Sequence, residues 1–426
     1  MNIIVIGAGY VGLPLAVSFS KHFPVICYDI NKNRIDELNK GYDSNKQHSK
    51  NEIKKKKLSF TNDSNLLIDQ DIYIVTVPTP INSFNHPDLS MLEQASSLVG
   101  KSLKKKSIVI YESTTFPGCT IESCVPILEN NSKLKFKKDF SVAYSPERVN
   151  PGDQINKLNT ITKIVSAEDD KTLNIVNKLY KKICKSIYPV LGIKIAESAK
   201  IIENVQRDVN IALVNELSVM FNKLNIPCNE VLKAAASKWN FHYYKPGLVG
   251  GHCIGVDPYY LSYKAEQINY YPQLILSGRR FNENMGRYIA NQTALLLSKQ
   301  NIPVNKAKIA LLGFSFKENI PDIRNTKIIQ IVRELANWNA VVEVYDPIVS
   351  KKDVKKMYDL EINKFEEIQN KKFDAIIYAV SHKEFEKKLS FYDKFFKNKN
   401  KKIIVDVKNN FSRAELIKNK YKFFQL

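Results

Sequence analysis

The chain has 426 residues, 44% apolar and 25% charged, which excludes a disordered or fibrous protein and leaves room for two or three domains. The net charge of +21 comes from lysine. The lysines are spread over all regions, and the runs at 54–57 and 104–106 lack interleaved aromatics. This pattern describes a solvated surface that draws in anionic substrates, and it argues against a nucleic-acid-binding protein.

Residues 1–20 carry no charged side chain, but Gly7, Gly9, Gly12 and Pro14 interrupt them and no basic segment precedes. Neither a signal peptide nor a membrane anchor is expected, and no other stretch is apolar enough to span a bilayer. Cys27, Cys119, Cys124, Cys184, Cys228 and Cys253 form no C-x-x-C pair. A disulfide framework and a structural zinc site are not expected, and a reducing cytoplasm is.

In chain order, "NIIVIG" reads as a short apolar strand entering a glycine-rich turn. "PVICYD", "DIYIVTVPTP", "SIVIYESTT", "FSVAYSPE" and "TKIVSA" repeat the strand signal to about residue 190, with helical periodicity between them. Apolar strands alternating with helices predict a parallel sheet covered on both faces. From Ile195 to about Leu224 there is no glycine or proline, and Ile201, Val205, Val209, Ala212 and Leu213 recur at helical spacing. One long helix is predicted there, a connector and a surface for a dimer. A second is predicted from Pro272 to about Gln300. After "NIPVNK", the strands "KIALLGFSF", "AVVEVYDP", "FDAIIYAV" and "KKIIVDV" predict a second, smaller doubly wound domain.

The first turn reads Gly7-Ala8-Gly9-Tyr10-Val11-Gly12, a G-x-G-x-x-G between a strand and a helix. Such a turn brings a pyrophosphate to backbone N–H groups at a helix N-terminus. Asp29 ends the second strand, 29 − 12 = 17 residues past the last glycine. A carboxylate there accepts ribose hydroxyls and repels a 2′-phosphate, which favours NAD over NADP. Arg34 is expected to cover the adenine. Thr79 and Thr114 follow later strands and are expected near the nicotinamide half.

"GLVGGHCIGVDPYYL", residues 247–261, surrounds Cys253 with glycines and places Asp257 four residues on. Locally the cysteine has three readings: a nucleophile, a zinc ligand with His252 and Asp257, or a small buried hydrophobe. No fourth zinc ligand is evident, and no metal is expected. Glu197, Lys200, Asn204 and Arg207 share a helical face by spacing. They are either an oxyanion clamp or a solvated stripe. Glu147, in "SPERVNPGD", is a second candidate base or sugar ligand.

Together, "GAGYVGLPLA", "SPERVNPGD", "GLVGGHCIGVDPYYL" and "LLGFSFKENIPDIRNT" resemble the nucleotide-sugar 6-dehydrogenase family, in the family's order and over nearly the whole chain. The likeness is greatest to its UDP-N-acetylhexosamine branch, whose members oxidise UDP-N-acetylglucosamine or UDP-N-acetylgalactosamine for capsules and O-antigens. Glucose-type members carry a second Glu four residues after the first. Here that position is Pro151, which counts against UDP-glucose as the main substrate; UDP-glucose and UDP-N-acetylmannosamine are the alternatives.

The resemblance implies an α/β chain in three parts. These are an N-terminal Rossmann-type NAD domain (1–190), a central long-helix dimerisation region (191–302) and a smaller Rossmann-like UDP-sugar-binding domain (303–426). It implies Cys253 as nucleophile, Lys200 and Asn204 as oxyanion donors, Asp257 and Thr114 as water-positioning groups, and Glu147 in thioester hydrolysis. Arg148, Arg207, Tyr244, Gly250 and Lys317 join the substrate set, and Arg324 reaches the NAD. A simple reductase or epimerase accounts for the glycine turn but not for Cys253, Lys200, Asn204 and Lys317 together.

Overall fold

A computed structural model describes residues 1–45, 47–147, 158–251 and 254–426. Arg148, Pro151, His252 and Cys253 lie outside the described residues. The chain divides into two compact units, residues 1–203 with 259–271 and residues 204–258 with 272–426.

The first unit is built on eight strands: β1 (Ile3–Ile6), β2 (Val25–Tyr28), β3 (Leu58–Thr61), β4 (Ile72–Val75), β5 (Ile108–Tyr111), β6 (Ser141–Tyr144), β7 (Thr162–Ala167) and β8 (Ser186–Leu191). Their order is β3-β2-β1-β4-β5-β6-β7-β8. Every residue of β1, β4 and β5 is buried, as strands covered on both faces require. The chain reverses sheet direction between β1 and β4, so the carboxyl ends of these strands flank the crevice where such sheets bind ligands.

The expected all-parallel sheet needs one correction. β6 and β7 pair antiparallel, Ala143 opposite Ala167. An apolar run does not encode strand direction; the connection does. Residues 145–161 hold Pro146, Pro151 and Gly152 and no apolar periodicity, so they lack the crossover-helix pattern that parallel neighbours need. β8 is an exposed edge, consistent with Pro189 within it.

β7 carries a lysine into the core. Lys163 donates to the Glu112 carboxylate (2.8 Å) and to the Pro146 carbonyl (2.9 Å). The Tyr180 hydroxyl donates to the other Glu112 oxygen. Lys163, Glu112 and Tyr180 are all buried, so each polar atom needs these partners.

The predicted connector is a helix of 31 residues, Ile193–Lys223. The second long helix runs Gln273–Lys299. It packs Met285, Ile289 and Leu297 in one core with Ile309 and Leu311 of the second sheet. That sheet comprises β9 (Lys308–Leu312), β10 (Val341–Tyr345), β11 (Ile362–Asn363), β12 (Ala375–Tyr378), β13 (Ile403–Asp406) and β14 (Lys422–Gln425), ordered β11-β10-β9-β12-β13-β14. All its pairs are parallel. The order repeats that of the first six strands, so the chain holds two doubly wound sheets.

Removing one partner of the buried Lys163–Glu112 pair leaves an uncompensated charge. Lys163→Met is expected to destabilise the protein by about 3–5 kcal/mol, read as a lower urea midpoint, and Lys163→Met/Glu112→Leu to recover much of the loss. An unchanged midpoint in the single variant contradicts this reading.

Candidate active site

The glycine turn follows β1 and leads into helix Gly12–Phe19. Gly7 has φ +101°, and a Cβ on Gly12 would lie 1.8 Å from the Gly7 carbonyl oxygen. Side chains are therefore excluded at both positions, for backbone and for packing reasons. A Cβ on Gly9 would meet nothing within 4 Å, so the backbone there is open to a ligand. Tyr10 and Val11 are half-buried beside it. Thr76, just past β4, donates to the carbonyls of Ile6 (2.9 Å) and Gly7 (3.1 Å) and ties the turn to the sheet.

Asp29, just past β2, accepts the N–H of Ala8 (2.8 Å) and of Asn31 (2.8 Å) on separate oxygens. Its carboxylate is thus fixed at the mouth of the turn. Arg34 also has a structural task. Its Nε donates to the Ala8 carbonyl (2.9 Å), and its remaining nitrogens reach Glu37, Asp43 (2.8 Å) and Ser44 (3.1 Å). Its edges brace the turn, which leaves the flat face of the guanidinium for a base. Asp29, Glu37 and Asp43 make this end of the crevice acidic. An open Gly9, a fixed Asp29 and an acidic surround fit NAD and disfavour a 2′-phosphate.

Thr79 and Thr114 lie past the ends of β4 and β5, half-buried. The Thr79 carbonyl accepts the hydroxyl of Tyr260 (2.8 Å), from the end of the cysteine-containing motif. Glu147 lies three residues past β6, half-buried, after the carbonyl that Lys163 holds.

The face Glu197–Lys200–Asn204 is buried, not solvated. Glu197 is 0% exposed. It accepts the N–H of Gly118 (2.5 Å), the N–H and hydroxyl of Thr120 (2.9 and 2.6 Å) and the hydroxyl of Thr115 (3.2 Å). Burial raises its pKa against the opposing pull of these bonds. Glu197 thereby fastens the loop after Thr114 to the helix, one turn before Lys200. Sequence spacing placed Glu197 on this face but gave it no task, because its partners lie 77 or more residues away.

Asn204 donates its amide to Asp257 (2.6 Å) and accepts from Arg207 (3.2 Å). Asp257 opens helix Asp257–Gln267 and is 2% exposed. This pairing of two expected site residues leaves the second amide hydrogen of Asn204 for another acceptor. One further turn along, Asp208 accepts Arg279 (2.5 Å) and Asn282 (2.8 Å). Asn215 grips both the N–H (2.8 Å) and the C=O (3.0 Å) of Gly247, where the cysteine-containing motif begins. Tyr244 accepts from Gln206 (2.9 Å).

Lys317 is half-buried in the loop after β9, and its carbonyl accepts the Ser315 hydroxyl (2.7 Å). Buried His382 braces that loop, taking the Asn319 N–H on Nδ1 (3.0 Å) and meeting Asp346 through Nε2 (3.1 Å). Arg324 is clasped by Asp322, Nε to Oδ1 at 3.0 Å and a terminal nitrogen to Oδ2 at 2.5 Å. The expected Gly250 packs against the Asn325 backbone and Phe316. Sequence reasoning missed Asn215, Asn325 and His382. Asn325 adjoins Arg324 in the "DIRNT" motif, which was the available signal. Burial, followed by the Asp29 charge, pushes the Cys27 thiol up to about 12, and all five described cysteines are buried.

Among the described residues no helix is long and apolar enough to cross a membrane. The UDP-glucose/GDP-mannose dehydrogenase family matches the chain in three parts. Its NAD binding domain covers residues 1–184, its central domain 194–284 and its UDP binding domain 310–413. A UDP-N-acetyl-D-glucosamine 6-dehydrogenase of Salmonella typhi is 47% identical over 96% of both chains. Protein CapL of Staphylococcus aureus is 46% identical over 97% of both. The solved structure of a UDP-D-ManNAc dehydrogenase from Pyrococcus horikoshii superposes with a TM-score of 0.89 at 32% identity, covering 100% of this chain and 99% of that one. With its NAD-binding turn, its UDP-binding domain and these matches along its length, the chain belongs to the UDP-glucose/GDP-mannose dehydrogenase family and is an NAD-dependent nucleotide-sugar dehydrogenase.

Proposed function

We propose that the chain oxidises C6 of a UDP-N-acetylhexosamine, UDP-N-acetylglucosamine or UDP-N-acetylgalactosamine, to the uronic acid for capsule or O-antigen synthesis. The observation that carries this choice is the contrast in identity. It is 47% with a relative named for the glucosamine substrate and 32% with the mannosamine-named structure.

The Gly7–Gly12 turn and Asp29 would hold NAD, which would supply the hydride acceptor for each of the two oxidations, while the C6 hydroxyl proton passes to solvent in the first. The thiolate of Cys253 adds to the C6 aldehyde and forms a thiohemiacetal, and loss of the second hydride leaves a thioester. Lys200 and the second amide hydrogen of Asn204 stabilise the tetrahedral oxygen; loss of one such donor costs about 10²–10³ in rate. Asp257, held by Asn204, and Thr114 orient a water. Glu147 takes a proton from that water as it attacks the thioester, and the thiolate departs. Arg148, Arg207, Tyr244, Gly250 and Lys317 contact the nucleotide sugar, and Arg324 the cofactor.

We assign the connector helix to a homodimer. Ile195, Ile202, Leu213 and Met220 are exposed, and at 100° per residue they fall within about 20° of one line along the helix. A single-file apolar stripe of this length suits a second copy of the same helix. Five buried thiols suit a cytoplasmic location.

Cys253→Ala is expected to abolish acid formation while NAD affinity stays at the wild-type value; full turnover by this variant overturns the nucleophile. In a panel of UDP-sugars, kcat/KM is expected to be highest for the N-acetylhexosamines, and a maximum at UDP-glucose or UDP-N-acetylmannosamine shifts the substrate assignment. Asp29→Ser is expected to weaken NAD binding roughly tenfold or more, the loss of one charge-assisted hydrogen bond, and to relax discrimination against NADP. Equal NAD affinity by fluorescence titration contradicts that role. Ile202→Glu/Leu213→Glu is expected to show the mass of one chain by light scattering, whereas a persisting two-chain mass places the interface elsewhere.

A further inference from the structure

The glycines that flank Cys253 pack against one side chain. Asn325 donates its amide to the Gly251 carbonyl (3.1 Å). A Cβ on Gly255 would sit 2.9 Å from that same amide nitrogen, and a Cβ on Gly250 would sit 2.7 Å from the Asn325 carbonyl oxygen. Gly251 has φ +81°, and a Cβ there would press on the Phe316 ring at 2.9 Å. Three glycines, two before Cys253 and one after, thus lack room for a side chain because Asn325 and Phe316 occupy the space that each Cβ would need. Cys253 itself is outside the described residues; its flanks are not.

The post is itself held. Tyr358 donates to the Ile323 carbonyl (2.6 Å) and accepts the Thr326 N–H (3.3 Å), so it clamps the backbone on both sides of Asn325. Asn325 has φ +50°, a conformation that asparagine adopts more readily than most residues. Residue type is constrained twice over, by backbone and by the amide donor.

We propose that Asn325 is a positioning residue for the nucleophile: it holds Gly250, Gly251 and Gly255, which flank Cys253 on both sides, in place. The inference rests on the reading of Cys253 as nucleophile. Displacement of a reacting atom by about 1 Å costs up to about a hundredfold in rate, so loss of the post acts on kcat. Neither the glycine turn at Gly7–Gly12 nor Asp29 depends on it.

Two variants test this in the full-length enzyme. Asn325→Asp keeps shape and backbone preference but turns a carboxylate oxygen toward the Gly251 carbonyl. Asn325→Gly keeps the backbone conformation and removes the post. Both are expected to lower kcat by about tenfold to a hundredfold, Asn325→Asp the more, with NAD affinity unchanged. Asn339→Gly, at an exposed asparagine of similar φ (+58°), is expected to keep wild-type kcat and controls for backbone effects. Wild-type kcat per folded molecule in Asn325→Asp overturns the proposal. So does a kcat loss matched by an equal loss of NAD affinity, which marks general damage. Cys253→Ala, assayed alongside, separates the two ideas. If it turns over fully, the nucleophile reading falls. If it is dead while both Asn325 variants run at the wild-type rate, the positioning role alone falls.

Discussion

A single helix with its polar residues turned inward organises this enzyme. Glu197, Asn204, Asp208 and Asn215 of the connector are buried and lie within about 40° of one line along it. Burying such groups is costly unless each is hydrogen-bonded. Each finds its partner on a loop or a neighbouring helix: the segment after β5 for Glu197, Asp257 for Asn204, Arg279 and Asn282 for Asp208, and Gly247 for Asn215. Satisfying the helix therefore fixes the loops that carry the candidate chemistry. The exposed apolar residues occupy the opposite side, about 150° away from the polar line. Ordinary surface amphipathicity is inverted: the buried line of this helix is polar and its exposed line apolar.

Both sheets were legible in the sequence because buried parallel strands are uninterrupted apolar runs bounded by turn signals. "NIIVIG", "DIYIVTVPTP" and "SIVIYESTT" became β1, β4 and β5. The reversed pairing of β6 and β7 was not legible in the apolar runs, which carry no direction; its signal lay in a connection without the pattern of a crossover helix. The 31-residue helix was legible from an unbroken lack of glycine and proline. Which of its faces is buried was not. Periodicity marks a stripe of Glu197, Lys200 and Asn204, but charge at a helical spacing reads equally as solvated surface.

The residues sequence reasoning passed over share a physical character. Asn215, Asn325 and His382 act through backbone groups of distant segments, and no local pattern announces such a bond. Asn215 reaches Gly247, 32 residues on; Asn325 reaches Gly251, 74 residues back. The glycines of the cysteine-containing motif have a physical reason once Asn325 is in view: the space their Cβ atoms would need is already filled. Arg34 was expected over the adenine; the bonds of its edges to the Ala8 carbonyl and to Asp43 were not legible, because they join segments apart in sequence.

Four-electron oxidation at one carbon through a cysteine thioester requires two hydride acceptors per sugar. The direct measurement is the ratio of NADH formed to UDP-N-acetylglucosamine consumed, with the product weighed by mass spectrometry. A ratio of two, with a product carrying one carboxylate at C6, is the predicted result. A ratio of one, with aldehyde as the end product, contradicts it and reduces the enzyme to a two-electron oxidoreductase.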